Sequence, residues 1–289
     1  MRSRRVGAGA LALALSVGSS GVHAQSFCAV PDSVGVVLTF FDVGQGDATL
    51  IESTNGMRAL VDGGRSASLI TRLLDSLGVD RLELVVATHN HLDHIGGLPT
   101  LLRRFPVALV IENGLPESTA AYRRFAIAKQ GSGARELPPL GQFLTLGDVT
   151  LRILAPSPAE LTQNDRSVGV LVQRGEFRAL LTGDAEVRAL ESWLLHDSIP
   201  RVTALKASHH GSSNGVTPAW GARTEPSIVV ISVGRRNRYG HPSPDVLAFW
   251  KRDARRVLRT DMHGTVRIRG CSDGSFRLRT AAFIDSLLA

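Results

Sequence analysis

Thr88-His89-Asn90-His91-Leu92-Asp93-His94 follows the apolar run Leu84-Val85-Val86-Ala87 without a break. A short continuous apolar run between polar segments is the pattern of a strand buried on both faces. Four side chains able to ligate a metal, His89, His91, Asp93 and His94, thus stand within six residues of one another just beyond a rigid strand end. Imidazole together with carboxylate suits zinc or a similar divalent ion. In a tight loop His89 and His91 can point to one ion while Asp93 and His94 point to a neighbour. The chain has only 9 histidines, so three in six positions weigh against scattered, solvated loop residues. Gly96-Gly97 then lets the next helix approach closely, as in a packed site.

Outward from this loop, short β-rich runs alternate with helical stretches. Val36 to Phe41, Ala48 to Ile51 and Ala59 to Val61 read as strands between Gly-rich turns. Leu69, Ile70, Leu73, Leu74 and Leu77 repeat with helical spacing and predict a helix over Ser66 to Leu77. A helix from Ile95 or Leu98 towards Arg104 follows, then a strand from Val107 to Ile111. Gly131 to Pro139 has turn composition and marks the junction of two halves. Beyond it, Gln142 to Leu146, Thr150 to Leu154, Val168 to Val172 and Phe177 to Leu181 read as strands. Ala185 to Leu195 reads as a helix, and Val202 to Leu205 and Ser227 to Ser232 as strands. Pro244 opens a helix at a position where its missing donor costs nothing. Two β-then-α halves with central strands predict an α/β protein, an αββα sandwich of two β-sheets flanked by helices.

Composition sets the outer limits. A chain of 289 residues can bury a sizeable core, and 43% hydrophobic with 20% charged residues is globular rather than disordered. Two cysteines are too few for a thiolate zinc module or a disulfide framework. Aromatic residues, at 5%, weigh against a base-stacking single-strand binder. No apolar run reaches the ~18–20 residues that cross a bilayer. Arg2, Arg4 and Arg5, the apolar stretch Val6 to Val17 and the end Val22-His23-Ala24 are the three parts of a secretory signal. They predict cleavage after Ala24, one domain over residues 25–289, and a periplasmic or extracellular destination. Export would permit a bridge between Cys28 and Cys271, with two buried free thiols as the alternative; spacing does not decide between them. The formal net charge of +7 includes the three arginines of the leader.

The histidine loop resembles the HxHxDH signature of the metallo-β-lactamase superfamily. Phe41-Asp42-Val43-Gly44-Gln45-Gly46-Asp47-Ala48, Val61-Asp62-Gly63-Gly64, Leu181-Thr182-Gly183-Asp184, Ser208-His209-His210-Gly211-Ser212 and Asn237-Arg238-Tyr239-Gly240-His241-Pro242 resemble one branch of it. That branch is the hydrolase domain attached to ComEC-type competence proteins, which take up DNA, together with its free-standing secreted relatives. The resemblance runs from about Val36 to Arg269. It implies that His89 and His91 hold a first metal, that Asp93 and His94 lie at a second, and that Asp184 bridges the two. It further implies that His209 or His210, with His210 preferred, completes the second site. Without the resemblance Asp184 could simply cap the helix after it. Most of the superfamily draws a third first-site histidine from mid-chain, and none lies between His94 and His196 here. The matching stretch is Asn164-Asp165-Arg166-Ser167, where Asp165 could ligate, Asn164 could stand in, or water could fill the position. Two divalent ions are expected, zinc by default, with manganese favoured by an oxygen-rich site.

Two such ions lower the pKa of a shared water and neutralise charge on the attacked group. Asp93 is the candidate to orient that water or move its proton. His241 is the candidate to assist the leaving oxygen, with a structural role beside Gly240 and Pro242 as the alternative. Arg235, Arg236 and Arg238 would bring positive charge to the mouth of the site, and Arg235, Arg238 and Lys206 are candidate substrate contacts. Their charge favours a polyanionic substrate such as nucleic acid. Lys251, Arg252, Arg255, Arg256 and Arg259 read instead as a solvated helix face. The expected function is a secreted metal-dependent hydrolase, a phosphodiesterase or nuclease, with no obligate protein partner evident. A β-lactamase or thioester hydrolase of the same fold is one alternative; a polyanion binder with a degenerate site is the other.

Overall fold

The first half of the chain runs β1 (Val36–Phe40), β2 (Thr49–Glu52), β3 (Arg58–Val61), α1 (Leu69–Ser76), β4 (Leu82–Ala87), α2 (Leu92–Ile95), α3 (Leu98–Arg104), β5 (Val107–Glu112), α4 (Ala120–Gly131) and β6 (Arg135–Leu137). The second runs β7 (Phe143–Leu146), β8 (Val149–Leu154), β9 (Gly169–Arg174), β10 (Phe177–Leu181), α5 (Val187–His196), β11 (Ala204–Lys206), α6 (Pro218–Thr224), β12 (Ile228–Ile231), α7 (Pro244–Asp253), β13 (Arg256–Arg259) and α8 (Thr260–His263). A final hairpin, β14 (Val266–Gly270) and β15 (Phe276–Thr280), closes the order. This is a computed structural model that describes residues 35–156 and 162–281. The leader reading for residues 1–24 and Cys28 lie outside the described residues. Cys271 is disulfide-bonded.

Two sheets result, one ordered β15-β14-β1-β2-β3-β4-β5-β6 and the other β13-β12-β11-β10-β9-β8-β7. Their facing sides share one core that includes Leu38, Phe40, Val86, Val170, Phe177 and Val230. A second core lies between the first sheet and its helices, with Leu60, Leu74, Val85, Leu101 and Phe125. A third lies on the outer side of the other sheet, with Leu180, Trp193, Trp220 and Trp250. The expected αββα sandwich is therefore the observed fold. Strand β4 shows why its sequence is apolar throughout: Leu84 and Val86 face the central core while Val85 and Ala87 face the helical one. Among the described residues no helix is long and apolar enough to cross a membrane.

Several elements carry no clean periodic signal. In α4 the buried residues Ala121, Phe125, Ala128 and Lys129 do share one helix face, but the exposed Ile127 and the small alanines blur the apolar pattern in the sequence. Strand β6 occupies the Gly131–Pro139 stretch and pairs parallel with β5. The reading of residues 251–259 as one helix face is corrected: α7 ends at Asp253, and Arg256 to Arg259 pair parallel with Ile228 to Ile231. Non-local pairing overrides local charge pattern there.

Strands β3 to β6 run parallel, as do β10 to β13, so their carboxyl ends gather at one rim. The histidine loop is fastened to this rim by backbone bonds, Asp47 N to Asp93 O at 3.2 Å and Gly63 N to His94 O at 2.7 Å. Gly46, at φ 131°, passes so close that a Cβ would overlap the Asp93 carbonyl oxygen. Gly46→Ala is expected to cost about 1–3 kcal/mol, for strained backbone and a forced shift of the loop. Thermal melts of wild type and variant would show it as a drop of several degrees.

Candidate metal centre

Asp62 follows β3 in a left-handed conformation, φ 61°, and is buried. Its carboxylate accepts from the Thr88 backbone N at 2.8 Å, from Thr88 Oγ1 at 2.8 Å, and from His94 Nδ1 at 2.8 Å. Because the Thr88 hydroxyl donates to Asp62, it accepts from His89 Nδ1, 3.2 Å away. One carboxylate thus sets the tautomer of two imidazoles and turns both Nε2 atoms into the site, as carboxylates behind metal-bound histidines do. His210 is set in the same way, its Nδ1 donating to Ser232 O at 2.9 Å.

His94 Nε2 and His210 Nε2 each lie 3.3 Å from Asp184 Oδ2, and Asp93 Oδ2 lies 3.5 Å from His210 Nε2. Ligands about 2.1 Å from a tetrahedral ion stand about 3.4 Å apart, so these spacings fit one divalent ion. His94 Nε2, His210 Nε2 and Asp184 Oδ1 are buried with no hydrogen-bond partner among the described residues. Asp184 Oδ1 faces Lys206, but the two orphaned Nε2 atoms both face Asp184 Oδ2, an arrangement that calls for a cation. The neighbouring set is looser. His89 Nε2 and His91 Nδ1 are 3.0 Å apart, and His89 Nε2 is 3.9 Å from Asp184 Oδ2. Asn164 lines the cavity with a buried, unpartnered Oδ1, and its Nδ2 is 3.4 Å from His209 Nε2.

Lys206, 2% exposed, forms a close ion pair with Asp47 and donates to Gly183 O at 2.8 Å; its Nζ is 3.6 Å from Asp184 Oδ1. Asp47 also approaches His210 Nδ1 at 3.4 Å and His94 Nδ1 at 3.7 Å. Burial alone would lower the His94 and His210 imidazoles, but Asp184, with Asp62 beside His94 and Asp47 beside His210, outweighs it and holds both well above the ordinary histidine value. Burial would raise Asp184, yet His210 and His94 hold its carboxyl well below the usual range. Asp93 is lowered likewise, burial being offset by its hydrogen bond to His210 and by His94. Burial, reinforced by the charge of His94, pushes His89 down.

His209 and His210 are both left-handed, at φ 47° and 53°. That strain is one of the features that gather at functional sites, and it splits the pair. His210 Nε2 lies closer to Asp184; His209 also lines the cavity, its Nε2 3.9 Å from Asp184 Oδ2, while its Nδ1 meets Asn214 Oδ1 at 3.0 Å and Glu186 Oε1 at 3.4 Å. Above the cluster opens a cavity with roughly 840 Å³ of empty space, lined by Gln45, Arg65, His91, Leu92, Asp93, Asn164, Asp184, His209, His210, Tyr239 and His241. Tyr239 stacks on His241 with ring centres 5.8 Å apart.

Residues 41–235 match the Metallo-beta-lactamase superfamily. The chain belongs to that superfamily. The chain is 29% identical to ComE operon protein 3 of Bacillus subtilis over 79% of its own length and 32% of that protein's. It is 30% identical to Recombination protein 2 of Haemophilus influenzae, over 80% and 28% of the two chains. It therefore spans about a third of the length of these curated relatives. The solved metallo-beta-lactamase fold protein YhfI from Bacillus subtilis is similar with a TM-score of 0.51 and 13% identity, over 78% of this chain and 96% of that one. At that identity the likeness is one of fold.

Of the metal-ligating residues expected from the sequence, His89, His91, Asp93, His94, Asp184 and His210 come together, and His209 lines the cavity beside them. Asp165 does not. It is buried and its carboxylate accepts from the Ala189 backbone at the start of α5, while Asn164 faces the cavity. Lys206 is sealed behind the cluster and cannot touch substrate. Arg235 is exposed and donates to Asp261 O at 2.9 Å, and Arg238 is exposed on the same loop; neither lines the cavity, whose arginine is Arg65. The sequence reading assigned no role to Asp47, Asp62 or Arg65. The first two lie in the motifs Gly44-Gln45-Gly46-Asp47 and Val61-Asp62-Gly63-Gly64, which was the available signal; Arg65 had none.

Two outcomes are expected. Protons on His94 and His210 stabilise the metal-free fold fully below the ordinary histidine value of 6.5, and that contribution is lost as pH rises through their raised values. EDTA-treated protein should therefore melt lower in alkali, while zinc affinity measured by calorimetry rises over the same range because fewer protons must be displaced. Lys206→Met strands Asp47 without its cation and should cost the metal-free protein about 3–5 kcal/mol in chemical denaturation.

Proposed function

We propose that this protein is an exported two-metal phosphodiesterase acting on a polyanionic substrate, nucleic acid foremost. The observation that carries the reading is the convergence of the unpartnered His94 Nε2 and His210 Nε2 on Asp184 Oδ2 beneath an open cavity that also holds Arg65. In this reading Asp93, His94 and His210 would hold one ion and His89 and His91 the other, with Asp184 within reach of both sets. Asn164, rather than Asp165, faces the position where most relatives place a third histidine. Bound ions supply water activation and charge neutralisation.

The chain's own residues do the remaining work. Asp62 and Ser232 O orient the imidazoles, and Asp47 with Lys206 fixes the carboxylate side. Asp93, lining the cavity and held in its ionised form, orients the attacking water. Arg65 engages a phosphate oxygen, for which a guanidinium is suited. His241 is lowered by burial and by His209 and His210, which keeps its imidazole neutral: it can hydrogen-bond to substrate at the cavity wall but is poorly suited to give a proton to the leaving oxygen. The loop Arg235 to Arg238 adds positive charge outside the cavity and favours an anionic substrate over a β-lactam or thioester. Export rests on the leader pattern of residues 1–24, and mass spectrometry of the protein recovered outside the cytoplasm tests it through an N-terminus at Gln25.

Zinc- or manganese-loaded protein should hydrolyse bis(p-nitrophenyl) phosphate and oligonucleotides. Loss of a residue behind a metal ligand costs about 10–100-fold, so His91→Ala should lower turnover by at least about 100-fold. Nitrocefin or thioester turnover with inert phosphodiesters would establish the hydrolase alternative, and metal-independent oligonucleotide binding without any turnover the binder.

A further inference from the structure

Tyr239 is 63% exposed, and of the large exposed apolar side chains among the described residues it alone lines the cavity above the histidine–aspartate cluster. Its ring lies within 13° of parallel to that of His241, with centres 5.8 Å apart. The His241 ring in turn stands 5.6 Å from that of His209, whose Nε2 is 3.9 Å from Asp184 Oδ2. Two ring contacts therefore connect the exposed tyrosine to the edge of the cluster.

The loop that carries Tyr239 is braced on both sides. Gly234 N donates to Gln45 Oε1 at 3.2 Å. Asn237 Nδ2 donates to Gly234 O at 3.1 Å and to His241 O at 2.8 Å, while Asn237 Oδ1 accepts from His241 N at 2.9 Å. Beyond it, Ser243 N donates to Gly211 O at 2.9 Å, next to the His209-His210 pair. Gly240, at φ 72°, makes the turn after Tyr239 in the left-handed region that glycine tolerates. These bonds and the His241 stack hold the ring in place, so a ligand lying on it meets a surface already ordered.

We propose that Tyr239 is the stacking platform for one nucleobase of the substrate, at or next to the attacked phosphodiester, and makes the site prefer nucleotide phosphodiesters to those without bases. This specificity rests on the phosphodiesterase reading. A tyrosine ring offers a large, rigid, amphipathic face at low entropic cost, and every base has a face to stack on it. Arg65, on the same cavity, is suited to the phosphate. Leu92 is the only aliphatic side chain in the lining, too little apolar surface to receive an acyl chain beside the ring. An aromatic content of 5% fits a single platform rather than a run of stacked bases.

The test uses the zinc-loaded full chain and a dinucleotide of thymidine and 2-aminopurine deoxyribonucleoside, joined by a phosphorothioate that resists hydrolysis. Stacking on an aromatic ring quenches 2-aminopurine, so the signal reports the contact itself. Wild type should quench the probe, and Tyr239→Ala should bind it at least about fivefold more weakly and lose the quenching. Tyr239→Phe should keep both. Tyr239→Leu, which keeps apolar bulk beside His241, should behave as the alanine variant does. A competitor with an abasic residue in place of 2-aminopurine should displace the probe from wild type at least about fivefold less well than the unlabelled parent dinucleotide. No quenching by wild type, quenching that survives in the alanine or leucine variant, or equal competition by the abasic dinucleotide overturns the platform. Base-dependent quenching in a protein that does not hydrolyse bis(p-nitrophenyl) phosphate would support the platform while refuting the catalytic proposal; turnover without it would do the reverse.

Discussion

Asp47, Asp62 and Asp184 are buried together at the rim of the sandwich, and a buried carboxylate is tolerable only when its charge is answered. Lys206 answers part of it with one ammonium wedged between Asp47 and Asp184. Raised histidines answer more in the metal-free protein, and bound divalent metal would answer the rest. The site is thus organised around a local excess of negative charge, and each surrounding contact either delivers a cation to it or aims a lone pair into it.

The sandwich makes that concentration possible. Parallel strands from both sheets end at the same rim, so Asp62 and His89 from one sheet meet Asp184 and His210 from the other. Each side chain leaves a strand whose two faces are packed, which limits how far the ligands can drift. The terminal β14–β15 hairpin joins the first sheet beside β1 rather than the half of the chain it follows. This crossing ties the two halves together and brings Thr265 against the loop that carries Asp47.

Charge is segregated by depth. Negative groups sit on the floor of the cavity, Arg65 on its wall, and the exposed arginines of residues 235–238 beside its mouth. A polyanion approaching from solvent meets positive potential before it meets the carboxylates, and those carboxylates would be covered by the ions they hold.

Much of this was legible in the amino-acid order. The run Leu84 to Ala87 and the loop Thr88 to His94 form one uninterrupted local unit, so strand, loop and ligands could be read together. Alternating β-rich and helical patches were enough to indicate a mixed sandwich, while α4 and the β14–β15 hairpin escaped because their stability comes from partners distant in the chain. The sequence by itself determined which side chains capable of ligation exist and that most of them stand at strand ends. Only the tertiary structure decided that His210 lies closer to Asp184 than His209 does, that Asn164 rather than Asp165 lines the cavity, and that Lys206 is an internal counter-ion. Those choices depend on through-space distances between strands far apart in the chain, set by sheet register and backbone conformation, and local sequence pattern does not encode them.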